Sequence, residues 1–174
     1  ALGHDDLKIG INLSARDFER SDLLERITEQ LNLNTLPARC LELEITESLL
    51  MNDAEGVLAK VRQFRRAGLL ISIDDFGTGF SSLNYLRRFS VSNLKIDQSF
   101  VRDLGSGSAS ALIHAIVSIA RSFELSTIAE GIETPAQAEA LSTLGCDLMQ
   151  GYLFSRPLTA AALIDYLAAP PPFA

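Results

Sequence analysis

A parallel α/β barrel of the (β/α)8 kind, carrying six of its eight βα units, is the fold this sequence predicts. Three observations predict it. Short apolar runs rich in β-branched residues alternate six times with segments whose apolar residues recur at helical spacing. Nearly every run ends in a polar or acidic residue, and these ends recur at intervals of 20–33 residues, close to the length of one βα unit. Within the runs, charged and apolar residues alternate, so Glu42 and Glu44 share one face, as do Lys95 and Asp97. An open doubly wound sheet covers both faces with helices and has no place for such pairs in mid-strand. A barrel has an interior that opens at one end, where polar residues of several strands converge.

The elements follow in order. A first strand is expected over 8–13, with Asn12 and Ser14 at its end; Ser21 then reads as the N-cap of a helix carrying Leu23, Leu24, Ile27 and Leu31. The second strand, 41–46, finishes in Glu44, Thr46 and Glu47. Asp53 caps the next helix, with Val57, Val61 and Phe64, and Gly68 closes it. The third, 69–73, runs into Asp74 and Asp75 and the segment DDFGTGFSSL (74–83), where Gly77 and Gly79 permit unusual backbone angles and Ser81 and Ser82 cap a short helix. The fourth, 94–96, carries Lys95 and leads to Asp97, before a helix with Leu112, Ile116, Ile119 and Phe123. The fifth, 126–129, leads to Glu130 and Glu133. Thr134 and Pro135 start the following helix, and Gly145 ends it. The sixth, 148–154, offers Gln150; a last helix covers 163–167. Residues 1–169 are thus expected to form one unit, with 170–174 a Pro-rich tail.

Composition narrows the function. At 174 residues and 47% hydrophobic, the chain suits one folded domain and is not disordered. No apolar run reaches the roughly 18 residues of a membrane span, and the N-terminus resembles no signal peptide. It lacks a starting Met, so the chain is expected to begin inside a longer protein. The net charge of −7 and the scatter of the basic residues argue against a DNA or RNA polymer as partner. Cys40 and Cys146 read as reduced thiols, which fits the cytoplasm, and His4 and His114 as non-catalytic.

The strand ends suggest the chemistry. Several carboxylates in one barrel mouth repel one another unless a cation sits among them. An all-oxygen set of Asn12, Glu44, Asp74 and Asp75 suits a hard divalent ion, Mg²⁺ or Mn²⁺, and no His near a strand end suggests zinc. Asp74 and Asp75 reach two ions if the backbone turns between them, and such a pair would clamp a phosphate ester. Lys95, in the same layer, would orient or help deprotonate a water. Phe76, Gly77, Thr78 and Gly79, directly after two candidate ligands, read as an active-site loop held in one conformation. Glu42, one layer below Glu44, reads as structural, and Phe76, Phe80 and Tyr85 as packing residues rather than base-stacking ones.

These motifs, NLSAR (12–16), EITES (44–48), DDFGTG (74–79), KID (95–97), AEGIE (129–133) and QGY (150–152), resemble the EAL domain of bacterial cyclic di-GMP phosphodiesterases, in family order and over most of the chain. The resemblance implies an EAL-type modified (β/α)8 barrel whose first two βα units lie outside this chain. It also implies hydrolysis of one phosphodiester of cyclic di-GMP with Mg²⁺ or Mn²⁺, as two ions. By the same resemblance Asn12, Glu44 and Asp74 are metal ligands, with Asp75 and Asp97 serving the second ion. Lys95 and Glu130 position and activate the water, Glu133 and Gln150 line the site, and Glu47 anchors the 74–83 loop. The family also implies a homodimer and an upstream sensory or diguanylate-cyclase-like domain.

One departure stands out. The naming Glu-Ala-Leu motif, with its metal-binding Glu and nearby Arg, lies upstream of the NLS segment in the family; here Glu139, Ala140 and Leu141 spell the letters by chance within a helix. The fragment alone is therefore expected to be inactive. The alternatives are an inactive cyclic di-GMP receptor or protein-interaction module, and a different metal-dependent barrel enzyme.

Overall fold

A computed structural model describes residues 7–52, 54–79 and 83–168. Its centre is a six-stranded parallel sheet in sequential order: β1 (Ile9–Leu13), β2 (Leu41–Thr46), β3 (Leu70–Phe76), β4 (Asn93–Ile96), β5 (Ser126–Ala129) and β6 (Leu148–Met149). Helices connect successive strands, the arrangement expected of βα units that all cross over the same way. Among the described residues the sheet is not closed, and its edge strands are β1 and β6.

The parity read from the sequence sets the packing. Leu43 and Ile45 of β2, Ile71 and Ile73 of β3, and Leu94 and Ile96 of β4 are at most 1% exposed. They form one core with Val61 and Phe64 of α4 (Ala54–Arg66), Ile113, Ile116 and Val117 of α7 (Gly107–Ser122) and Leu141 of α8 (Pro135–Leu144). The intervening residues Glu42, Ser72, Asn93 and Lys95 are buried on the opposite face.

Helix ends follow local chemistry. The Thr134 hydroxyl accepts from the Gln137 backbone while the Gln137 side chain reaches back, a capping box with Pro135 at the first position, and Gly145 closes α8 with φ +83°. Ser21 is not the cap of α2 (Leu23–Leu33): the residue before that helix is Asp22, and it makes no cap bond because Arg20 holds its carboxylate through Nε (3.0 Å) and Nη2 (2.9 Å). Three short helices directly follow strands and were not anticipated: α1 (Ala15–Glu19), α3 (Glu47–Asn52) and α6 (Gln98–Arg102). α5 (Leu83–Arg88) follows β3, and α9 (Ala160–Ala168) ends the described chain.

Two strand boundaries differ from expectation. β3 runs on to Phe76 across an irregularity between Ile73 and Phe76, with Asp75 at φ +55°. β6 stops at Met149 because the following residues bond to the chain after β5 instead: Ile132 N–H donates to Gln150 O and Leu153 N–H to Ile132 O. The expected caps Asp53, Ser81 and Ser82, together with Phe80, His4 and the prolines at 170–172, lie outside the described residues, as does the side chain of Tyr85. His114 is exposed on α7. Cys40 and Cys146 are free thiols. Among the described residues no helix is long and apolar enough to cross a membrane.

Candidate active site

The inner face carries a charged layer at the C-terminal ends of the strands. Lys95 of β4, only 3% exposed, places its ammonium 2.5 Å from Glu44 Oε2, 2.7 Å from Glu130 Oε1 and 3.2 Å from Asp74 Oδ1. The register explains the meeting. Glu44 and Asp74 lie two residues before the ends of neighbouring strands, Lys95 pairs with Ile128 of β5, and Glu130 follows that strand, its N–H donating to Ile96 O. Three carboxylates around one ammonium leave two uncompensated negative charges when all are ionised.

Electrostatics follow from that crowding. Burial pushes the Glu130 carboxyl above its ordinary range, and Asp74 and Glu44 add to the shift, against the opposing pull of Lys95. For Lys95, burial alone would lower the value, but its hydrogen bonds to Glu130 and Glu44 outweigh it and hold the ammonium charged.

A second pair lies beside the first. The irregularity in β3 and the left-handed Asp75 break the alternation that would send adjacent side chains to opposite faces, and Asp75 lies near Asp74, Asp97 and Lys95. Asp75 neighbours Asp97; burial and the Asp74 and Asp97 charges raise its pKa. Asp97 also caps α6, accepting from Ser99 N–H at 3.0 Å, and these bonds outweigh burial to keep its pKa low. Asn12 stands opposite Glu44 in the β1–β2 register, exposed on the edge strand.

The loop after β3 is clamped. Glu47, 2% exposed at the start of α3, accepts the Gly77 N–H through Oε2 at 2.9 Å. Its Oε1 is buried with no hydrogen-bond partner among the described residues and lies 2.7 Å from where a Cβ on Gly79 would sit. Gly77 takes φ +98°, and a Cβ there would press 3.1 Å from Phe100 and Ile116. Gly79 is thus required by close approach, Gly77 by both conformation and space. Thr78 is exposed and its hydroxyl donates to Asp75 O (2.8 Å), whereas Phe76 is the buried last residue of β3.

Glu130, Glu133 and Gln150 line one cleft of about 510 Å³ with Arg102, Tyr152 and Arg156. The Arg156 guanidinium lies 4.6 Å from the Tyr152 ring centre. The sequence reading missed these last three; the run from Gln150 to Arg156 was the available signal, but Arg102 enters only through the fold of α6.

As the side chains stand, no group of three or more His, Cys, Asp or Glu among the described residues forms a ready metal cage. The carboxylates close on Lys95 instead. The donor chemistry nonetheless fits a hard cation: all-oxygen ligands, excess negative charge, and a break in β3 that leaves two adjacent aspartates at one site.

The family model described as EAL domain matches residues 1–157. The bifunctional diguanylate cyclase/cyclic di-GMP phosphodiesterase MucR of Pseudomonas aeruginosa is 44% identical over 167 residues, covering 95% of this chain and 24% of MucR. The cyclic di-GMP phosphodiesterase NbdA of the same organism is 42% identical over 168 residues, covering 96% of this chain and 22% of NbdA. The chain thus spans about a quarter of these relatives' length. Among solved structures, the P. aeruginosa MucR phosphodiesterase in complex with cyclic di-GMP superposes with a TM-score of 0.89 at 44% identity, over 92% of this chain and 66% of that one. The Klebsiella pneumoniae BlrP1 complex with manganese and cyclic di-GMP gives a TM-score of 0.80 at 31% identity, over 86% and 39%.

Proposed function

The chain belongs to the EAL domain family, and on that premise we propose that it forms most of a metal-dependent phosphodiesterase domain that opens cyclic di-GMP to the linear dinucleotide. The observation that carries this reading is the Lys95 layer: carboxylates from Glu44, Asp74 and Glu130 gathered at the strand ends, oversupplied with negative charge, beside an open cleft. The relatives named as cyclic di-GMP phosphodiesterases support the substrate.

Asn12, Glu44 and Asp74 would hold one divalent ion, Mg²⁺ or Mn²⁺, and Asp75 and Asp97 a second. Bound there, the ions supply a polarised phosphate and an acidified water. Glu130, its pKa raised by burial, is suited to take a proton from an attacking water as the water oxygen bonds to phosphorus. The ester P–O bond breaks, and the departing sugar oxygen gains a proton. Lys95 holds Glu130 in place and keeps its own charge, offsetting negative charge that builds on the phosphate. Glu133 and Gln150, with Arg102 and the Arg156–Tyr152 stack, would seat the nucleotide in the cleft. Glu47 anchors the loop carrying Gly77, Thr78 and Gly79 through the Gly77 amide.

The same reading treats 1–169 as one unit, with 170–174 a tail. It takes the parent protein as a cytoplasmic homodimer with an upstream regulatory domain, two free thiols being consistent with a reducing compartment. The test is conversion of cyclic di-GMP by the full-length protein with Mg²⁺ or Mn²⁺, abolished by a chelator. Binding without turnover would instead identify a receptor, and light scattering decides the dimer.

A further inference from the structure

We propose that Gln137 is a positioning residue of this site, fixing the Glu133 end of the loop after β5 and tying it to α6; the proposal rests on the functional reading above. A capping box requires only that the Gln137 side chain satisfy the N–H of the cap residue, Thr134, which its Oε1 does at 3.0 Å. The same oxygen also accepts the Glu133 N–H at 2.8 Å, the shorter of the two bonds. The amide's other end leaves the helix altogether: Nε2 donates to Val101 O of α6 at 3.4 Å. One side chain therefore serves three backbone groups on two elements, more than a helix start needs.

The place of those groups gives the arrangement its consequence. α6 is capped by Asp97, a neighbour of Asp75, whereas Glu133 closes the segment that begins at Glu130. Along the same seam Gly131, at φ +71°, presses on α6 so closely that a Cβ would lie 2.7 Å from Gln98 Cβ. Gln137 thus spans the two halves of the candidate site, the aspartate pair and the glutamates of the cleft. It fixes the distance between them without touching the reacting atoms.

The test uses the full-length protein and three substitutions. Gln137→Met keeps the length but loses all three bonds. Gln137→Glu keeps an acceptor for both amides. Thr134→Val removes the cap hydroxyl of the same helix and leaves the Gln137 contacts intact. Gln137→Met is expected to lower kcat/KM for cyclic di-GMP by about tenfold or more, as a displacement of a few tenths of an ångström does at a preorganised site. Gln137→Glu, which keeps the two amide bonds but loses the donor to Val101 O, is expected to recover only part of that loss, and Thr134→Val to stay within about twofold of wild type. In a Glu133→Ala background the Gln137→Met loss is expected to be smaller, since residues that act together are not additive. Equal losses for Thr134→Val and Gln137→Met, or multiplicative losses with Glu133→Ala, would reduce Gln137 to a helix cap and overturn the proposal. Amide exchange separates this outcome from failure of the functional reading. If the wild type does not turn over cyclic di-GMP, that reading falls, while protection of the Glu133 amide, lost in Gln137→Met and kept in Thr134→Val, still decides the positioning role. Should Gln137→Met melt below assay temperature, Gln137→Asn, one methylene shorter, carries the same contrast.

Discussion

Glu42, Ser72 and Asn93 stand two residues below Glu44, Asp74 and Lys95 on the same three strands and face the same way. The lower set is self-contained. Asn93 Nδ2 donates to Glu42 Oε1 at 2.5 Å and to Ser72 Oγ at 3.2 Å, and all three residues are buried. The upper set is not: Lys95 meets three carboxylates with one charge. Position in the interior and polar character are common to both layers, so neither marks a functional layer. What separates them is whether the layer satisfies itself. The lower one closes its hydrogen bonds as a structural floor, and the upper one keeps an excess that a cation and a phosphate ester would complete.

The sharpest way to break that comparison is Glu130→Gln. With the general base removed, kcat is expected to fall by about 10³-fold, within the usual range for such a group, with metal and substrate binding retained. Turnover assays beside calorimetry check it; a variant that cannot bind metal would move Glu130 out of the base role. Glu47→Ala comes next, with an expected loss near 10²-fold from a displaced loop. Full activity with unchanged amide protection at Gly77 would remove the anchoring role. Asn93→Leu probes the floor instead. It strands the buried Glu42 carboxyl and is expected to cost about 1–3 kcal/mol of stability, read from denaturant midpoints, with kcat within about twofold. A large fall in kcat at unchanged stability would show that the two layers are not separable.

The legibility of the molecule follows the same division. The six strands could be read because polar and apolar residues alternate along them: the parity that hides Leu43 and Ile45 turns Glu42 and Glu44 inward. The sequence also suggests that Asp74 and Asp75 reach two ions if the backbone turns between them, but the turn itself, at φ +55°, belongs to the pairing of β3 with β4 and leaves no mark in composition. α1, α3 and α6 escaped because five or six residues carry less than two turns of periodicity. Arg102 was missed with α6, since only the packing of that helix beside the loop after β6 brings it to the cleft. Gln137 had a local signature, Thr134 followed three residues later by Gln, yet its bonds to Glu133 and Val101 depend on tertiary structure.

The smallest expected effect reads the charge excess directly, through pH. In the metal-free protein, burial and carboxylate neighbours hold Glu130 and Asp75 above their ordinary values, so the folded state binds these protons more tightly than the unfolded chain. Their contribution to stability is complete below the ordinary carboxylate range and is lost as pH rises through the raised values. The other shifted groups of the site are silent in this window. Asp97, held low, contributes fully above its ordinary value and loses that only as pH falls through the lowered one, and the contribution of Lys95 is whole until pH passes the ordinary lysine range. With a chelator present, raising the pH from 5 to 7 is therefore expected to lower the melting temperature of the wild type more than that of Glu130→Gln. A divalent ion should stabilise the wild type more at pH 7 than at pH 5, because the excess of negative charge that binds it grows as pH rises. Equal stabilisation at both pH values would mean that the upper layer, like the floor beneath it, is already complete without a cation.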